Sequence, residues 1–186
     1  MGIPVFHGSD NPRLPFIKVS TPGYSGSLGT GVYVALEKED ARFYGDTVYE
    51  LETKFYWDKV LVIDGDNYDT VEGLEGYSVL VGETVPPFSF WIAGKQHTVI
   101  TDGLFEMLEE DGRSNEVGEA IELDQVGEVA ETAGYKAVYV EGIRFGSSVN
   151  EEMLIFDAAD VAFAARPAKE SVRLRRFLSG VALRDL

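Results

Sequence analysis

Apolar and polar positions alternate at both ends of the chain and fall into helical spacing in its middle. Val5 to Ser9 is a short apolar run closing on His-Gly-Ser, and Asn11, Pro12 and Pro15 then break regularity, which predicts an edge strand entering a loop. Ser20 to Gly31 is a Gly-, Ser- and Thr-rich loop with exposed backbone. Glu37, Ala41 and Tyr44 share one face of one or two helical turns that Gly45 ends. Tyr49, Leu51, Thr53 and Phe55 alternate with polar or solvent-facing neighbours as in a half-buried strand, and Val60 to Asp64 predicts a second.

Asp66 to Pro87 is acidic, with a strand expected at Ser78 to Val81. Helical spacing covers residues 102–111, with Leu104, Met107 and Leu108 on one side, and residues 116–133, which Gly134 caps. Strands follow at Ala137 to Glu141, Glu152 to Phe156 and Val161 to Ala164. Strand-rich ends with helices between them predict an α+β fold rather than alternating βαβ units.

Composition narrows the functional classes. The 186 residues are 45% apolar and 12% aromatic, proportions of a globular chain with a real core, and no apolar run has the length of a membrane span. With no Cys, disulfides, thiolate metal sites and cysteine catalysis are excluded, and with only His7 and His97 a His-built zinc site is disfavoured. The opening MGIPVFHGSD has no basic leader or long apolar stretch, so the expectation is a cytoplasmic protein, or one of the host cytoplasm if phage-encoded.

Charge is uneven: 32 acidic and 16 basic residues give −16, yet Arg166, Lys169, Arg173, Arg175, Arg176 and Arg184 crowd the last stretch against only Glu170 and Asp185. The body before Arg166 is thus −20 and the tail +4. The chain divides into one domain, residues 1–165, and a basic tail, residues 166–186, in which Leu174, Phe177, Leu178 and Val181 have the spacing of an amphipathic helix. Such an acidic body disfavours nucleic acid as a partner and would be repelled by anionic membrane. The tail is expected to cover its apolar stripe on its own domain or on a docking partner.

Taken singly, the polar residues have ordinary readings: His7 as a hydrogen-bonded strand-end imidazole, Tyr33 and Tyr44 as core aromatics, Glu151 and Glu152 as solvated charge. Their order resembles the active-site frame of the ADP-ribosyltransferases, in particular the His-Tyr-Glu class of diphtheria-like toxins and poly(ADP-ribose) polymerases, with phage and bacterial toxin or effector members. Three blocks carry the resemblance: FHGS at residues 6–9, GTGVYVALEKEDARFYG at residues 29–45 with its two Tyr eleven positions apart, and NEEMLIFD at residues 150–157, preceded by GYKAVYV at residues 134–140. It implies a split pair of antiparallel-rich sheets with an NAD cleft between them.

Cleaving the nicotinamide–ribose bond of NAD passes through an oxocarbenium-like state, so a site must bend the dinucleotide and stabilise positive charge. By resemblance Glu152 is the catalytic carboxylate, with Glu151 pointing the other way. His7, Gly8, Ser9, Tyr33 and Tyr44 hold NAD: the two Tyr flank nicotinamide, Gly8 offers it backbone groups, His7 meets a ribose hydroxyl and Ser9 the carboxamide or ribose edge. Tyr24 borders the dinucleotide and Arg13 is a candidate for its pyrophosphate. No metal is called for, and His97 is read as structural or surface.

The function implied is an NAD-dependent mono-ADP-ribosyltransferase, with a protein acceptor favoured by the acidic body. Arginine-modifying relatives carry Glu or Gln where Asn150 stands, so the resemblance points away from arginine as acceptor. The same residues would serve an NAD glycohydrolase, and a non-catalytic phage structural or ADP-ribose-binding protein on the same fold is the alternative from another class.

Overall fold

The computed structural model describes residues 2–17, 19, 28–74, 79–81, 83–85, 87–145 and 148–164. The Gly-rich loop up to Ser27, with Tyr24, and the tail of residues 166–186 lie outside the described residues. In chain order the elements are β1 (Pro4–Ser9), β2 (Val32–Val34), α1 (Lys38–Ala41) running into a 3-10 turn (Arg42–Tyr44), β3 (Thr47–Thr53), β4 (Val60–Ile63), β5 (Tyr68–Thr70), β6 (Val79–Val81), β7 (Glu83–Val85) and β8 (Phe88–Ile92). There follow β9 (Lys95–Val99), α2 (Asp102–Glu110), β10 (Glu119–Ile121), α3 (Val126–Thr132), β11 (Ala137–Phe145), β12 (Ser148–Ile155) and β13 (Val161–Phe163). The fold is α+β, mostly sheet, with its longer helices between strand-rich ends. Among the described residues no helix is long and apolar enough to cross a membrane.

The strands form a sheet of order β1-β3-β13, a central sheet β2-β12-β11-β4, a third sheet β10-β9-β8-β5 and the hairpin β6-β7. Beyond the expected pair, the described residues thus form a third larger sheet and a two-stranded hairpin, and two pairings, β4 with β11 and β9 with β10, are parallel. The central sheet is buried on both faces. Ala137, Tyr139, Met153 and Ile155 pack with Val5, Leu51 and Val161 of the first sheet, while Val138, Val140 and Leu154 pack with Phe88, Phe90 and Val99 of the third and with Val126 and Ala130 of α3. Double burial explains why β4, β11 and β12 contain continuous apolar runs rather than clean alternation.

Two expectations from helical spacing are corrected. Residues 116–133 are not one helix, because Gly118 takes φ +65° against the Gln96 carbonyl, where a side chain would not fit, and so sends residues 119–121 into the third sheet. Only Val126–Thr132 is α-helical, after a 3-10 turn whose capping box pairs Glu122 and Gln125. In α2, Leu104 and Leu108 are buried as expected, but Met107 is 47% exposed and leaves the apolar stripe.

Candidate functional site

Among the described residues the first and central sheets meet edge to edge at one bridge. Phe6 and Ala35 exchange both backbone hydrogen bonds at 2.8 Å. Two residues on, the antiparallel ladder would pair Gly8 with Tyr33, but no backbone bond joins them; the His7 Nδ1–H instead donates to the Tyr33 carbonyl at 2.9 Å. That bond fixes the tautomer, since a carbonyl only accepts, and leaves Nε2 as the acceptor. Because Phe6 bonds toward Ala35, strand alternation turns the Gly8 N–H and C=O to the same side, away from its register partner Val48 in β3. Gly8 is buried, so a donor and an acceptor sit together at the seam where the two sheets part.

Two glycines seat the following turn on β1. A Cβ at Gly8 would overlap the Ala41 carbonyl, and one at Gly45 would overlap the Ser9 backbone. The absent Cβ of Gly8 thus makes room for α1, and its backbone groups stay at the seam. With α1 pressed down in this way, Tyr44 at the end of the 3-10 turn donates its hydroxyl to Glu152 Oε2 at 2.9 Å. Glu152 is 5% exposed and Tyr44 48%. The carboxylate is one residue beyond the last ladder pair of β12 with β2, Met153 with Val34, and so stands beside the seam. Glu151 points to the opposite face and is exposed, as alternation predicts.

Tyr33 is more committed to the fold than a free aromatic face would be. Its ring packs on the core beside Leu154, and its hydroxyl accepts from Leu28 N–H at 3.0 Å and donates to the Gly29 carbonyl at 2.7 Å, tying down the end of the Gly-rich loop. Burial, and after it the charge of Glu152, pushes its phenol far up. The raised pKa stabilises the fold fully below the usual value near 10 and progressively less above it. Tyr33→Phe leaves the Leu28 N–H and Gly29 C=O without this partner, and a stability loss of about 1–3 kcal/mol is expected in denaturant unfolding at neutral pH. Ser9 Oγ accepts from Asn11 N–H at 3.1 Å and so braces the loop after β1, while Arg13 is exposed in that loop.

The expected residues His7, Gly8, Tyr33, Tyr44 and Glu152 are therefore brought together, with Ser9 at the margin. What the motif did not disclose is their support: Ala35 at the bridge, Ala41 beneath Gly8, and Phe43, 87% exposed beside Tyr44. Gly45 was legible only as a helix stop. Among the described residues no group of three His, Asp or Glu side chains is placed to hold a metal ion.

A separate cavity of about 610 Å³ lies between β8–β10 and α3, lined by Ile92, Lys95, His97, Glu119, Glu128 and Thr132 among others, and includes none of the seam residues. His97 is buried rather than at the surface, stacked on Phe90 at 5.6 Å, with Nδ1 3.2 Å from Glu119 but not aligned for a hydrogen bond. Burial, helped by Lys95 and opposed by Glu119, holds its pKa below the usual 6.5. A depressed imidazole pKa adds stability above about pH 6.5 that is lost on acidification through that value. Melting curves from pH 7.5 to 5.5 are expected to show this loss and the His97→Phe variant to lack it.

Compared with known proteins, the chain matches no family model, no curated protein and no solved structure.

Proposed function

We propose that the protein is an NAD-dependent mono-ADP-ribosyltransferase of the His-Tyr-Glu type, with the first and central sheets as that family's split pair and its dinucleotide cleft at the Gly8–Tyr33 seam. The observation that carries this reading is the Tyr44–Glu152 hydrogen bond, made across 108 residues of sequence beside the parted strands that His7 holds. The Gly8 donor and acceptor, without a backbone partner among the described residues, are the complement of a carboxamide, and nicotinamide entering there would lie against the Tyr44 ring. His7 Nε2 accepts a hydrogen bond from a hydroxyl of the adenosine ribose. Glu152, oriented by the Tyr44 hydroxyl, accepts from the 2′-hydroxyl and stabilises the oxocarbenium-like ribose as nicotinamide leaves. A nucleophile of a protein acceptor then attacks the anomeric carbon, so that ADP-ribose is transferred and a proton released.

Incubating the protein with NAD labelled in its ADP-ribose half, with and without cell lysate, tests the proposal. Label on protein together with free nicotinamide is the expected result. Free ADP-ribose alone would make the protein a glycohydrolase, and absence of nicotinamide release in every mixture would place it among non-catalytic proteins.

A further inference from the structure

On the far side of the central sheet from Glu152, one surface combines aromatic rings with a concentration of acid. Tyr139 of β11 pairs with Met153 and so shares a face with Glu151 of β12 by alternation, and Glu141 stands at the irregularity in β11 that follows Val140. Trp57, 45% exposed, meets the Tyr139 ring edge-on at 5.7 Å. Glu37 and Asp40 at the start of α1 complete the group. Burial first, and then the charges of Glu151, Glu141, Asp40 and Glu37, pushes the Tyr139 phenol up to about 12. The Tyr139 residue is 5% exposed, so its ring is a wall of this surface rather than a free side chain. Four carboxylates beside an accessible indole form a surface that suits cations: carboxylates for charge, indole for the flat face of a guanidinium.

The chain itself carries the matching charge. Its described part ends at Ala164, whose N–H bonds the Glu50 carbonyl, and the Glu50 carboxylate lies 3.6 Å from Lys38 Nζ, between Glu37 and Asp40 on α1. Ala164 thus lies one residue pair from α1, and the 22 residues that follow it span up to about 70 Å when extended. Six of them are Lys or Arg against two acids. A tethered segment meets its site at about millimolar effective concentration, so a modest attraction suffices for it to prevail over a basic partner in solution.

We infer that the basic C-terminal segment, residues 166–186, docks in cis on the Trp57–Tyr139 surface, its Arg and Lys side chains among Glu37, Asp40, Glu141 and Glu151. This interaction is independent of the NAD reading and survives its failure.

The test uses the full chain and a zero-length carbodiimide cross-linker, which joins an amine to a carboxylate. Lys169, the one lysine of the segment, is expected to link to Glu37, Asp40, Glu141 or Glu151 within the monomer band, and the link is expected to vanish at about 1 M salt, where screening falls to about 3 Å. In a Trp91→Phe background, which leaves Trp57 as the sole indole, the triple variant Arg173→Gln, Arg175→Gln, Arg176→Gln is expected to raise acrylamide quenching of Trp57 toward that of a free indole. Links confined to a dimer band would mean that a second copy's segment occupies the surface. Those, links to other carboxylates only, no link at all, or unchanged quenching in the triple variant would each overturn the proposal.

Discussion

Glu152→Gln is expected to lower NAD turnover by about 10²–10³-fold, the usual cost of removing one positioned group that stabilises transition-state charge. Nicotinamide release under single-turnover conditions measures it. The same substitution should leave NAD affinity nearly unchanged, because an amide keeps the shape and still accepts from the Tyr44 hydroxyl. It should also leave the Tm equal or higher. A carboxylate 5% exposed carries a desolvation cost that a neutral amide avoids, so the wild-type residue is one that stability alone would not favour. Loss of turnover with retained stability separates a catalytic role from a structural one; loss of both would assign Glu152 to the fold.

Gly8→Ala is expected to damage fold and function together. Ordinarily such a change in extended backbone stabilises by about 0.4–1 kcal/mol through the unfolded chain. Here the added methyl is driven into the Ala41 carbonyl, a backbone group that cannot swing aside, and overpacking of this kind costs about 1–3 kcal/mol. The clash wins, and for a chain of this length each kcal/mol moves Tm by about 2–4 °C. α1 must lift from β1, carrying Tyr44 off Glu152, so turnover should fall further than stability explains. Gly103, in α2, is the control: nothing lies within 4 Å of where its added methyl would stand, so Gly103→Ala should raise the Tm.

Where alternation is strong the sequence predicted the right strand: β3 turns Leu51 and Thr53 to the core and Glu50 to the outside. The hairpin β8–β9 escaped it. Phe88, Ser89 and Phe90 are all buried, which erases the two-residue period, and the turn at Ala93–Gly94 uses a non-glycine residue at φ 51° instead of an Asn-Gly signature. Missing that hairpin hid the third sheet, and with it the burial of His97. The seam residues were legible as an ordered motif, because each chemical role needs a particular residue type. Their geometry was not: nothing in FHGS shows that the His7 side chain replaces a ladder bond, or that Gly8 is small for the sake of Ala41.

A crystal structure of the Glu152→Gln variant with NAD tests the central claim most directly. The nicotinamide carboxamide is expected on the Gly8 N–H and C=O, its ring against Tyr44, and the ribose 2′-hydroxyl within hydrogen-bond reach of residue 152. NAD bound instead in the His97 cavity, or at the seam with its nicotinamide ribose out of reach of residue 152, would contradict it, as would failure to bind NAD at all.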